Sequence, residues 1–239
     1  MSYKYWMRRA ALFGVMLAAP AYAAGGGVNL PQAPLESDNV EALQRGAATF
    51  VNYCMGCHGG EYLRYGRMVE DLAINEKQVK KFLIHNDAGL GDGMKTAMRA
   101  EDAREWFHQA AVPDLSLSAR LRGPDWLYAY LRGFYRDPSR PSGWNNAIFD
   151  NVAMPHVMSS LQGVFTRDAE SGEFVRISEG RMTEAEYDAL VGDLVSFMVY
   201  MGEPSRNKRY QTGYLTMTFL LLLLLATYFL YREYWKNIH

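Results

Sequence analysis

A pentapeptide, Cys54-Met55-Gly56-Cys57-His58, constrains this chain more than any other stretch. Its two thiols are two residues apart and lie on one side of a single turn, so each can add to one of the two vinyl groups of a haem edge. The next side chain, His58, can then give an imidazole nitrogen to the iron. CxxCH is the attachment signature of a c-type haem, and the chain has no other cysteines. The motif predicts one haem c, covalently attached through Cys54 and Cys57.

A CxxC pair also occurs in redox dithiols and in zinc sites. A structural zinc site needs four ligands, usually with a second Cys or His pair at short spacing. The other histidines are scattered along the chain, at His85, His108, His156 and His239. A redox dithiol would stand in a βαβ context, whereas the pattern around this motif is helical. Haem attachment is the interpretation that also uses His58.

The first 23 residues have the pattern of a secretion signal. Lys4, Arg8 and Arg9 form a basic segment, residues 10–19 are apolar, and Ala21-Tyr22-Ala23 is an A-x-A cleavage site. The apolar stretch is too short to span a bilayer. A retained N-terminal anchor is the alternative, which the small residues that follow disfavour. We therefore expect residues 1–23 to be a cleaved signal peptide.

A second apolar segment lies near the C-terminus. Residues 214–231 carry no charged side chain and include six consecutive leucines, a composition that is rare in a buried core helix. A helix of this length covers about 27 Å, close to the hydrocarbon thickness of a bilayer. We predict a transmembrane helix over 214–231, after a juxtamembrane linker over 206–213 and before a cytoplasmic tail over 232–239.

Basic residues flank the predicted span on both sides. Three lie within 206–209 and two within 232–236, so the positive-inside rule slightly favours the opposite orientation. The signal peptide, however, exports the N-terminal part. We expect residues 24–205 to form a periplasmic haem domain, anchored to the bacterial inner (cell) membrane by a single pass.

Charge narrows the choice of partner. Removal of residues 1–23, which hold three basic and no acidic side chains, changes the formal charge from −1 to −4. Haem propionates would add further negative charge unless arginines pair with them. An acidic protein argues against nucleic acid and fits a basic partner protein attracted by charge. A merely soluble acidic surface explains the charge equally well.

Helical periodicity surrounds the haem motif. Asp38 with Glu41 fits a capping box, and the apolar stripe that follows runs to Cys54. Gly46 interrupts this helix at a cost in stability, and a second helix crossing close by is the simplest reason. Residues 61–84 also have a helical pattern.

The last part of the predicted haem domain contains a hairpin and a helix. Residues 161–181 are polar and form an exposed excursion, with a turn at Ser171-Gly172. Thr183 with Glu186 is a capping box, and Gly202 ends the helix that follows. This helix is the expected partner of the one that contains Gly46.

The second axial ligand must come from 13 methionines. An electron-transfer haem needs both axial positions filled, and a thioether opposite histidine raises its potential. Met154 is the first candidate, because it lies in a loop and Pro155 restricts the backbone after it. Met198 and Met201 are expected to pack in the core of a helix pair. The rival ligands are Met94, Met98 and, as a weaker one, His156.

Two arginines, Arg120 and Arg122, follow the segment Pro113-Asp114-Leu115-Ser116. In a haem protein such arginines are candidates to pair with the propionates in charge-assisted hydrogen bonds. A solvated helix face explains the same pattern.

Together these residues resemble the cytochrome c1 family, the haem subunits of quinol–cytochrome c oxidoreductase (bc1) complexes, in its proteobacterial form. The resemblance runs from about Ala42 to the C-terminus, and the single C-terminal anchor is also the family's layout. It rests on Arg45-Gly46 ahead of CMGCH, on Trp106-Phe107 before PDLS and Arg120-Leu121-Arg122, and on Trp144-Asn145-Asn146 leading into Met154-Pro155-His156. One departure is Gly59-Gly60, where many relatives have Ser-Met.

The resemblance implies a mainly α, class I cytochrome c-like haem domain with insertions, plus one C-terminal transmembrane helix. Seven residues would bind the haem. They are Cys54 and Cys57 as attachment points, His58 and Met154 as axial ligands, Arg122 and Trp126 at the propionates, and Pro113 against the ring.

The implied function is electron transfer without bond-making chemistry, so the chain would not be an enzyme on its own. A Rieske iron–sulfur protein would reduce the haem, a cytochrome c would accept the electron, and cytochrome b would share the complex. A membrane-anchored c-type cytochrome serving another dehydrogenase or terminal oxidase is the main alternative. Others are a haem peroxidase or nitrite-type reductase with an open iron, and a periplasmic dithiol oxidoreductase.

Overall fold

The computed structural model describes residues 30–107, 111–168 and 170–237, so the predicted signal peptide lies outside it. The described helices are α1 (Val40–Thr49), which continues as a π-helical turn (Phe50–Cys54), α2 (Tyr65–Asp71), α3 (Glu76–Phe82), α4 (Ala100–Trp106), α5 (Ser118–Arg122), α6 (Pro124–Arg132), α7 (Ser159–Gln162), α8 (Glu184–Gly202) and α9 (Arg206–Tyr234). The strands are β1 (Gly60–Arg64), β2 (Gly93–Met94), β3 (Phe134–Arg136), β4 (Trp144–Asn146), β5 (Gly163–Arg167) and β6 (Phe174–Glu179). The predicted mainly α fold is confirmed.

The core is built on the crossing of α1 and α8. A Cβ atom added at Gly46 would overlap the carbonyl oxygen of Asp193 and lie 2.7 Å from Cβ of Phe197. Glycine therefore allows the two backbones to approach, as predicted. At the edge of the crossing, Arg45 Nε lies 2.6 Å from a carboxylate oxygen of Asp193. Phe50, one turn along the chain from Gly46, packs its ring against Phe197.

The predicted N-terminal cap is correct for α8 and wrong by one residue for α1. The capping box of Thr183 and Glu186 at the start of α8 is confirmed. The box assigned to Asp38 is wrong by one residue, because Asn39 caps α1 and accepts a hydrogen bond from the amide of Glu41 at 3.0 Å. Asp38 instead accepts a hydrogen bond from the side chain of Asn207, in the first turn of α9.

The helix predicted over residues 61–84 is wrong in its first part. Residues 60–64 form β1, which pairs antiparallel with β2, and helices α2 and α3 follow it. The close approach of Gly93 to the backbone of Glu61 permits this pairing, since a Cβ atom there would overlap the Glu61 carbonyl. A contact 32 positions away in the sequence therefore overrides the local helical pattern.

A four-stranded sheet with the order β4-β3-β5-β6 lies beside the helices. Strands β5 and β6 form the predicted hairpin, and Gly172 in its turn has a φ of +73°, in the left-handed region that favours glycine. Strand β5 is parallel to β3, so the hairpin extends a sheet that begins next to α6.

None of the residues of helix α9 is buried. It is the one described helix that is long and apolar enough to cross a membrane. The segment 206–213, predicted as a linker, belongs to the same continuous helix as 214–231. Pro204 lies before the helix, so nothing within 206–213 prevents helix formation.

Candidate haem-binding site

A cavity of about 360 Å³ opens where α5, α6 and α8 meet the CxxCH turn. Six of the predicted site residues line it: Cys54, His58, Pro113, Arg122, Trp126 and Met154. A second cavity of about 80 Å³ is lined by Cys57 and shares His58, Pro113 and Met154 with the first. The structure thus brings all seven predicted residues to one place, from three separate parts of the chain.

The CxxCH segment forms a tight turn at the end of the π-helical turn. The amides of Cys57 and His58 both donate to the carbonyl oxygen of Cys54, at 3.0 and 2.8 Å. Burial raises the pKa of Cys54 to about 12, with a further contribution from Cys57, and burial also raises the pKa of Cys57. A reactive dithiol has a lowered thiol pKa, so this environment does not favour the dithiol oxidoreductase alternative.

The imidazole of His58 is held from one side. Its Nδ1 atom lies 2.8 Å from the carbonyl oxygen of Pro113, which can only accept, so Nδ1 carries the proton. The Nε2 atom then keeps a free lone pair, the form in which histidine ligates metals. Burial lowers the pKa of His58, which keeps the ring neutral, as ligation requires.

The segment 113–116 is hydrogen-bonded to residues 61 and 62, which follow the haem motif. The carboxylate of Asp114 accepts hydrogen bonds from the amides of Glu61 at 2.9 Å and Ser116 at 2.8 Å. The hydroxyl of Ser116 in turn accepts from the amide of Tyr62 at 3.1 Å. These bonds explain the PDLS pattern, because they fix the backbone that presents the Pro113 carbonyl to His58.

The two glycines after the motif make close approaches of their own. A Cβ atom at Gly59 would lie 2.7 Å from a carboxylate oxygen of Asp114, and one at Gly60 would overlap the sulfur of Met201. Gly59-Gly60, the departure from the family pattern, therefore suits the local packing of this chain.

Met154 lines both cavities, and its sulfur accepts a hydrogen bond from the hydroxyl of Tyr130 at 3.4 Å. The rivals Met94 and Met98 line neither cavity. His156 is buried against Phe134, with ring centroids 5.0 Å apart, and also lines neither. The geometry favours Met154 over each of these rivals.

The two candidate arginines have different surroundings. Arg120 lies 3.5 Å from a carboxylate oxygen of Glu203. Arg122 has no carboxylate partner among the residues that the structure describes, and its guanidinium lies 5.1 Å from the ring centre of Trp126 at the cavity wall. Arg122 is therefore the arginine available to an anionic group in the cavity, such as a propionate.

The donor set fits a c-type haem better than a zinc ion. Two thiols, one neutral imidazole and one thioether meet at largely apolar walls, as haem attachment and axial ligation require. Across the described ranges, no group of three or more His, Cys, Asp or Glu side chains is arranged to hold a metal ion.

Sequence reasoning missed several residues at the cavity. Tyr130 was not singled out as a site residue, although it lies four positions after Trp126 and so faces the same side of α6. Met198, expected in the core, is buried and also lines the cavity. Phe149 lies in a loop without periodicity, so no signal in the sequence could have identified it.

The chain is similar over most of its length to a family model and to several known proteins. The model of the Cytochrome C1 family matches residues 31–238. Cytochrome c1 of Allochromatium vinosum is 41% identical over 245 residues, which cover 98% of this chain and 100% of that protein. A Nitrosomonas europaea protein named ammonia monooxygenase gamma subunit is 46% identical over 226 residues, covering 94% and 96%. Cytochrome c1 of Cereibacter sphaeroides is 24% identical over 262 residues, covering 91% and 90%.

Proposed function

Because the chain belongs to the cytochrome c1 family, whose members carry one covalent haem c and transfer electrons in bc1 complexes, we propose that it relays electrons from a Rieske iron–sulfur protein to a cytochrome c. The observation that supports this most is the convergence of Cys54, Cys57, His58 and Met154 on one pair of cavities. The chain itself carries out no bond-making chemistry.

The haem-binding roles follow from the surroundings of each residue. A haem c would be attached through Cys54 and Cys57, and the free Nε2 of His58 and the sulfur of Met154 would ligate its iron. An iron ligated by both side chains would leave no site for oxygen and would support electron transfer with little rearrangement.

The remaining site residues hold the haem edge. The guanidinium of Arg122, which lies over Trp126 and has no carboxylate partner among the described residues, would bind a haem propionate in charge-assisted hydrogen bonds. Pro113 would lie against the haem ring, and its carbonyl oxygen orients His58.

Helix α9 anchors the protein, with the haem domain in the periplasm and the last residues in the cytoplasm. The exported orientation follows from the N-terminal signal pattern. A phosphatase fused after residue 239 would be inactive and one fused after residue 205 active. The reverse pattern would overturn this orientation.

The electron route is tested by stopped-flow reduction of the purified complex with quinol. We expect the haem of this chain to be reduced on quinol addition and reoxidised when oxidised cytochrome c is added. The matched control is the same complex from which the Rieske protein has been dissociated, in which quinol no longer reduces this haem. Unchanged reduction in that control would overturn the proposed donor.

A second assignment comes from the name of one relative, the ammonia monooxygenase gamma subunit of Nitrosomonas europaea. The same haem site would serve another membrane oxidoreductase equally well, so the site does not discriminate between them. Affinity purification of the tagged chain from mild detergent does. Recovery of cytochrome b and the Rieske protein supports the proposal, and recovery of a monooxygenase, dehydrogenase or terminal oxidase without cytochrome b contradicts it.

A further inference from the structure

Four side chains spaced four residues apart form a continuous column along α6 and its two ends. The guanidinium of Arg122 lies 5.1 Å from the ring of Trp126, which stacks on Tyr130 at 5.0 Å with an interplanar angle of 10°. Tyr130 meets Phe134 edge to face at 5.2 Å. Trp126 and Tyr130 share one face of α6 because they are four residues apart in the same helix, whereas Arg122 and Phe134 join the column from α5 and β3 on either side.

The column holds the ring of Tyr130 between two aromatic neighbours while its hydroxyl points to Met154. The hydroxyl donates to the Met154 sulfur at 3.4 Å, its one acceptor among the described residues. A thioether is a weak acceptor, and a phenol inside a protein ordinarily finds a better one. The Tyr130 ring is held by stacking on one side and by an edge-to-face contact on the other, so the choice of a weak acceptor for its hydroxyl calls for a reason beyond packing.

We propose that Tyr130 is a positioning residue for the iron-ligating sulfur of Met154, and that its hydrogen bond raises the reduction potential of the haem. A thioether sulfur has two lone pairs, one for the iron and one free to accept a hydrogen bond. Withdrawal of electron density through the second makes the sulfur a poorer donor, which disfavours the oxidised iron more than the reduced iron. Hydrogen bonding to an axial ligand is one of the levers by which proteins set haem potentials. This inference rests on the proposed ligation by Met154.

The chain provides a matched control for this contact. Tyr65 is fully buried and donates to the sulfur of Met55 at 3.6 Å. Met55 lines neither cavity, so the same type of hydrogen bond is made there to a sulfur that does not ligate iron. Tyr65→Phe and Tyr130→Phe remove one hydroxyl each and leave the ring in place.

The experiment is a redox titration of the haem in the whole complex for wild type, Tyr130→Phe and Tyr65→Phe, with carbon monoxide binding measured on each. We expect Tyr130→Phe to lower the potential, by up to a tenfold change in the oxidation equilibrium, or about 59 mV for one electron. Tyr65→Phe should keep the wild-type potential. Site-specific replacement of Tyr130 by 3-fluorotyrosine, a more acidic phenol, should move the potential upward with minimal disturbance of packing.

Each other result has a distinct meaning. An unchanged potential in Tyr130→Phe, or equal shifts in both phenylalanine variants, overturns the role of Tyr130. A fall in potential with 3-fluorotyrosine overturns it as well, and remains measurable if Tyr130→Phe does not assemble. Carbon monoxide binding by the wild-type haem would instead refute ligation by Met154, and so the proposed function on which the inference rests.

Discussion

The Nδ1 atom of His58 lies 2.8 Å from the carbonyl oxygen of Pro113, which joins the haem motif to a segment 55 residues later. The bond sets the tautomer of the imidazole, and the hydrogen bonds of Asp114 keep the acceptor in place. A second part of the chain therefore decides which nitrogen of the ligand is free.

Asp114→Ala should raise the reduction potential of the haem. Without its carboxylate, two backbone amides lose their acceptor and the Pro113 carbonyl is held less firmly, so His58 becomes a less basic ligand. The cost in the free energy of unfolding should be about 1–2 kcal/mol. Asp168→Ala is the control, because Asp168 also accepts two backbone amides but in the β5–β6 turn. A potential that moves equally in both variants would contradict the proposed link.

Gly46→Ala should destabilise the haem domain. Alanine gains up to about 1 kcal/mol in helix propensity, but its Cβ overlaps the Asp193 carbonyl, and overpacking of a core costs about 1–3 kcal/mol. Separation of α1 from α8 is the only relief, since the overlapping atom belongs to the backbone. Gly91→Ala is the control, as a Cβ atom there meets nothing within 4 Å. Equal melting temperatures of the two variants in detergent would show that the crossing is looser than described.

The loop before Met154 should lose stability in acid. Asn145 donates to Asp137 at 3.0 Å and to Asp150 at 2.8 Å. Hydrogen bonds hold both pKa values below the ordinary 3.8, chiefly from Ser139 for Asp137 and from Asn145 for Asp150. Because the pKa of each carboxyl is lower in the folded state, its contribution to the free energy of unfolding is complete above pH 3.8. This contribution disappears as the pH falls through the folded-state pKa.

Asp150→Asn tests this dependence on pH. The variant should be less stable than wild type near neutrality, and the difference in free energy of unfolding should shrink as the pH falls below 3.8. Asp87→Asn makes the same change of charge at an exposed position and is the control. Chemical denaturation at a series of pH values measures both. A difference that stays constant with pH would contradict the assignment.

Truncation after Pro204 should release a water-soluble red protein. No residue of α9 is buried, and the contact of Asn207 with Asp38 lies in the first turn of this helix. We expect the truncated protein to keep its melting temperature and haem spectrum. Loss of the haem or aggregation of the truncated chain would indicate that α9 supports the fold as well as the membrane attachment.

The sequence was most informative where chemistry or a strict period restricts the residue type. CxxCH, the glycine of the helix crossing, the cap of Thr183 and the apolar span each carry a local signal that no distant contact overrides. The aromatic column has such a signal too, in its spacing of four residues.

Other features depend on contacts that a local pattern does not contain. Strand β1 forms because Gly93 lets a distant segment pair with it. Asn39 rather than Asp38 caps α1, and Asp38 instead accepts a hydrogen bond from Asn207. The difference between Arg120 and Arg122 also depends on a distant residue, because Glu203 forms an ion pair with Arg120. In each case the deciding atom is more than 30 positions away or belongs to the neighbouring residue.

His58 and Met154 should close the haem iron to outside ligands, and a reduced-minus-oxidised spectrum recorded with carbon monoxide measures whether they do. Wild type and Met94→Leu, a volume-conserving change at a rival methionine, should show a c-type band that carbon monoxide does not alter. Met154→Leu should become sensitive to carbon monoxide. If the wild-type haem itself binds carbon monoxide, the iron is open, and an enzyme rather than an electron relay would be the correct assignment.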